Sequence, residues 1–117
     1  MTLILAAVVL AAAPVPPTAQ TPVLAPPQSA ALRCGVVFAM GSKMQFDREP
    51  AAAAWPPLAT RGKEYFVRVF ARLMDDTGAD RDQLSFMAGR EAAGLQDDGA
   101  VVAAMPACLA LLDAAGI

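Results

Sequence analysis

The side chains of this chain that could support chemistry are few. Cys34, in AALRCGVVFAM, and Cys108, in AMPACLALLD, are its only cysteines, and it has no histidine. A thiol becomes a nucleophile or metal ligand when its surroundings lower its pKa. Both cysteines sit in apolar runs with Arg33 as the one nearby cation, and no Cys-x-x-Cys spacing builds a redox pair. The chemistry left to them is mutual. In an exported chain, as argued below, an even pair favours a Cys34–Cys108 disulfide; the alternative is two buried thiols packing as small hydrophobes.

Soft thioethers are the next candidates, since Met40 and Met44 lie four apart, with Met74, Met87 and Met105 elsewhere, and methionine sulfur selects Cu(I). All but Met44 also fall in apolar stripes, so core packing is preferred and no metal or cofactor is expected. The acidic groups Asp75-Asp76, Asp80 with Asp82, and Asp97-Asp98 sit at predicted helix ends, where acids cap or solvate, and their spacing does not match a calcium loop. Ser29, Ser42 and Ser85 have no histidine to activate them. No catalytic residue is expected, and the chain does not read as an enzyme.

Binding chemistry is better represented. Arg61, Glu64, Arg68 and Arg72 share the outer face of a predicted helix with Trp55 at its entrance, a candidate surface for a protein partner with Trp55 as anchor. Tyr65, Phe66 and Phe70 could instead line a groove for an apolar ligand, though aromatic stripes at this spacing usually pack a core. Nine basic and eleven acidic side chains leave a net charge of −2 with no basic run, which excludes nucleic acid as an expected partner.

The elements that must position these residues follow from the patterning. Residues 3–13, LILAAVVLAAA, have the length of a signal-peptide core and are too short to span a bilayer. Residues 1–19 are therefore expected to be a signal peptide cut near Ala19 or Gln20, although no Lys or Arg precedes the apolar run. Arg33 stands where a lipidated cysteine needs a small residue, so acylation of Cys34 is not expected. Six of the ten prolines fall in 14–27, giving an extended linker whose last part, 20–28, precedes a helical domain at 29–117. The mature chain is expected to be periplasmic or secreted, without a membrane span.

Within the domain, 29–42 carries one charge, Arg33, and two apolar stripes, Leu32/Val36/Ala39/Met40 and Cys34/Val37/Phe38/Gly41, the pattern of a central helix. Residues 43–55 read as a loop with a helical turn near 50–54. A second helix opens at Pro57, buries Leu58, Gly62, Tyr65, Phe66, Val69, Phe70, Leu73 and Met74, and closes at Gly78. Asp80 and Gln83 form a capping box for a third, with Leu84, Met87, Ala88 and Leu95 inward and Gly89 and Gly94 weakening it. The fourth is capped by Asp97 or Asp98 and presents Val101, Ala104, Met105, Cys108, Leu111 and Leu112 to the core, with Pro106 outside as a bend and not a break. The fold class is all-α, a small antiparallel bundle of about four helices stapled first to last by the disulfide.

The order SAALRCGVVFAM, AWPPLATRGKEYFVRVFARLMDDTG, MPACLALLDAAG over residues 29–116 resembles a set of small uncharacterised exported helical proteins of alphaproteobacterial type. The resemblance implies the same fold and location and carries no mechanism. The leading expectation is a non-catalytic helical module that binds a partner protein or supports an envelope assembly. The alternative is a small carrier with an apolar ligand in a helical groove.

Overall fold

The helical periodicities resolve into four α-helices in a computed structural model that describes residues 21–97 and 99–117. They are α1 (Pro26–Phe46), α2 (Arg61–Thr77), α3 (Arg81–Gly94) and α4 (Ala100–Ala114), with one 3₁₀ turn at Pro50–Ala52. The described residues contain no strand. The expected signal peptide at 1–19 and the expected cap Asp98 lie outside the described residues.

α1 is the axis of the bundle and touches each of the other three helices. That role explains its composition: the five residues Cys34, Gly35, Val36, Val37 and Phe38 are all buried, more than one face of a helix could supply. α2 runs antiparallel to it, since Gly35 faces Phe66, Phe38 stacks edge-on against Tyr65 with ring centroids 5.1 Å apart, and Gly41 faces Leu58. α4 packs on another side of α1, and there the disulfide forms: Cys34 and Cys108 are bonded, with Cα atoms 5.1 Å apart. The main core gathers Val37, Phe38, Leu58, Leu95, Met105 and Leu112 around this bridge, while Leu32, Leu73, Ala79 and Leu84 form a second cluster.

Several boundaries differ from the sequence reading, each for a local reason. α1 starts at Pro26, inside the expected linker, because the first helical positions need no N–H and proline fits them; Gln28 Oε1 accepts from Ala25 N at 2.9 Å and ties down the entry. It ends at Phe46, past Ser42, with Lys43 paired to Asp47 across the last turn. α2 begins at Arg61, not at Pro57, because the preceding stretch is held in another conformation by Gln45. Its Nε2 donates to Pro56 O at 2.8 Å and its Oε1 accepts from Leu58 N at 3.0 Å. α4 is capped by Gly99 at φ 82°, a left-handed conformation that a β-carbon disfavours, so the Asp97 side chain is not the N-cap. Ala39 is exposed where an apolar stripe was expected, and Leu111 is 40% exposed.

The α3 start and α2 end match expectation. Asp80 Oδ1 accepts from Gln83 N at 2.8 Å while Asp80 N donates to Gln83 Oε1 at 2.9 Å, the reciprocal capping box. Gly78 closes α2 at φ 72°. α4 continues through Pro106, which is exposed, so its missing N–H leaves no unsatisfied carbonyl in the core.

One glycine sits at a helix crossing and another in open space, and the contrast yields a paired prediction. A β-carbon on Gly62 would lie 2.9 Å from Phe38 Cβ, an atom fixed to the α1 backbone. Gly62→Ala should therefore force α1 and α2 apart and destabilise by about 1–2 kcal/mol despite alanine's better helix propensity. Gly89, in the interior of α3, meets nothing within 4 Å, so Gly89→Ala should stabilise by about 0.5–1 kcal/mol, raising the melting temperature a few degrees. Thermal unfolding of the two variants checks both signs.

A second prediction concerns Gln45. No local pattern in the sequence marks Gln45 for this role. Gln45→Ala would leave Leu58 N–H, in a residue 1% exposed, and Pro56 C=O without their partners, at a cost of about 2–3 kcal/mol in chemical denaturation.

Candidate functional site

The first turns of α1, the middle of α2 and the end of α4 diverge enough to leave a groove of about 650 Å³ open to solvent. Its walls are mainly apolar: Ala30 and Ala31 from α1, Val69 and Leu73 from α2, and Leu111 from α4. The exposure of Leu111 follows from this, since the residue turns toward the groove and away from the closed core. Arg68, Arg72 and Asp76 line it as well, so its polar groups come chiefly from one helix.

Tyr65 is the groove's least ordinary member. It is 5% exposed, packs its ring on Phe38, and lines the groove, yet its hydroxyl has no hydrogen-bond partner among the described residues. Burial raises its pKa above the ordinary 10.0, so the hydroxyl remains a proton donor throughout the physiological range. As the neutral form is favoured in the folded state, any contribution to stability is present below the unfolded pKa and is lost as pH rises through the folded one. Because Tyr65 is the only tyrosine, ultraviolet titration should show its ionisation displaced above pH 10.0 in the folded protein and returned to normal on unfolding.

The expected interaction face is divided by the fold. Arg61 is committed to α4, its Nε donating to Ile117 O at 3.0 Å and its Nη2 lying 3.2 Å from Asp113 Oδ1. Glu64 pairs with Arg68 one turn along, at 2.5 Å, and Arg72 Nε lies 3.6 Å from Asp76 Oδ2. Exposed pairs of this kind hold side chains loosely and contribute at most about 0.5 kcal/mol each. Arg68 and Arg72 thus border the groove, whereas Trp55 is half-buried against the main core and lines a separate shallow hollow with Gln45 and Pro57. Patterning offered Tyr65, Phe66 and Phe70 as lining for an apolar groove and preferred them as core; of the three, Tyr65 alone lines this groove, whose other walls come from α1 and α4 and leave no local signal.

The methionines do not assemble as a set: Met40, Met44 and Met105 belong to the main core, Met87 packs on the second cluster, and Met74 is exposed. No helix among the described residues is long and apolar enough to cross a membrane. No family model, curated protein or solved structure matches the chain.

Proposed function

We propose that the protein is a non-catalytic, exported helical module, periplasmic or secreted, of the kind that the resemblance to small alphaproteobacterial proteins implies, and that it acts through the α2 face bordering the groove. The observation that carries this reading is the pairing of a bridged, fully apolar core with exposed arginines, Arg68 and Arg72, beside an open groove. A disulfide suits an oxidising compartment, and the expected signal peptide supplies the route there. The non-catalytic reading is supported by the placement of the acidic pairs Asp75 with Asp76 and Asp80 with Asp82, which are exposed at the surface and not set in a dry cleft that would tune them.

Reversing both charges, Arg68→Glu with Arg72→Glu, should leave the melting temperature within a few degrees and remove the partner captured by crosslinking in cells. An unchanged capture pattern would exclude this face, and turnover of a substrate by the purified protein would overturn the non-catalytic reading. A second reading, a small carrier, is favoured by the groove itself, whose volume falls in the ~300–1,000 Å³ range of small-molecule sites.

A further inference from the structure

We infer that the stretch from Thr21 to Pro27 is a stop to proteolytic processing, so that a protease meeting the folded chain leaves a domain whose first residue is Thr21 or an earlier one. Hydrolysis adds one water across a peptide bond. The carbonyl leaves as the carboxylate of the removed segment, and the nitrogen becomes the α-amino group of the retained chain. The stop applies in any compartment and is independent of the partner reading.

An endopeptidase holds its substrate as an extended strand, through backbone N–H and C=O groups on both sides of the scissile bond. Proline has a fixed φ and no N–H, so the bonds Thr21–Pro22, Pro22–Val23, Ala25–Pro26 and Pro26–Pro27 fit such a cleft poorly. Two bonds in the stretch lack this protection, Val23–Leu24 and Leu24–Ala25. Thr21 and Val23 are exposed, Val23 at 95%, and leave the chain open up to that point. The fold guards both bonds from the far side. Leu24 is partly buried against the cluster of Leu32, Leu73, Ala79 and Leu84. Ala25 N donates to Gln28 Oε1 at 2.9 Å, and Ala25 O accepts from Ser29 N at 2.9 Å, the first bond of the α1 ladder. A cleft can take up Leu24 and Ala25 only after these attachments open, and the boundary therefore falls where burial and hydrogen bonding begin.

The test uses the full, oxidised protein and an elastase, which cuts after small aliphatic residues, with the new termini read by mass spectrometry. The reference is a free peptide of residues 20–30, in which nothing anchors Leu24. The peptide should be cut after Val23. The same bond in the protein should be cut at least about tenfold more slowly, because cleavage must wait for the locally opened form. Leu24→Ser should return about tenfold of that rate and Gln28→Ala several-fold, each measured against a peptide carrying the same change. Thermal melts confirm that at least one of the two variants is folded. A protein cut after Val23 as fast as the peptide would overturn the stop. A peptide that resists cutting, or protection that survives both substitutions, would overturn the part assigned to the fold.

Discussion

Reducing the Cys34–Cys108 bond is expected to remove about 4 kcal/mol of stability in the chain-entropy description, because the bridge closes a loop with a sequence separation of 74. A domain of this size commonly has only about 5–15 kcal/mol in total, so the reduced protein should unfold tens of degrees lower or be unfolded at ambient temperature. Reduction of the wild type is the cleanest comparison, since it changes no side chain. Cys108→Ser should lose at least as much, as it also places a hydroxyl at a position 2% exposed in the main core. Coincident melts of oxidised and reduced protein would show that the native packing alone holds the first helix to the last.

Phe38→Ala is expected to cost about 3–5 kcal/mol, the range for removing a fully buried aromatic ring. Phe38 has no exposed surface, stacks edge-on with Tyr65, and packs its Cβ against the backbone of Gly62, so its ring fills the space where α1 and α2 meet. Glycine permits the approach and phenylalanine occupies the space beside it, which gives the surroundings little freedom to collapse into the void. Urea unfolding should show the midpoint falling with an unchanged slope. Because the closest atom to Gly62 is Phe38 Cβ, which alanine retains, Phe38→Ala should not relieve the penalty of Gly62→Ala. Combined with reduction of the disulfide, Phe38→Ala should cost about 7–9 kcal/mol, comparable with the whole stability of a small domain.

How far the fold could be read in advance depended on the range of the interactions involved. The α3 capping box, the glycine stop of α2 and the apolar girth of α1 are written within a few residues, and each appears as expected. The pairing of Cys34 with Cys108 was also legible, since two buried cysteines on the first and last helices of a small bundle have no other partner. The start of α2 was not, because Gln45 acts across 10–13 residues of chain on Trp55, Pro56 and Leu58, and no local period encodes that clamp. The groove depended on longer range still. Val69 and Leu73 carry the signature of a core stripe and do pack in the core; that they also line a groove depends on the ends of α1 and α4, which no local pattern encodes. Arg61 shows the converse: its position predicted a solvent-facing charge, and its length carries it to Asp113 and Ile117.

The central claim, an exported domain bridged between its first and last helices, meets its most direct test in one mass measurement. Protein recovered from the producing cells is denatured without reductant in excess alkylating reagent, and its intact mass is read. The account predicts a chain beginning between residues 14 and 28, recovered outside the cytoplasm, with no alkyl group added until reductant is supplied and two added afterwards. A cytoplasmic chain retaining Met1 and alkylated twice without reductant would contradict it.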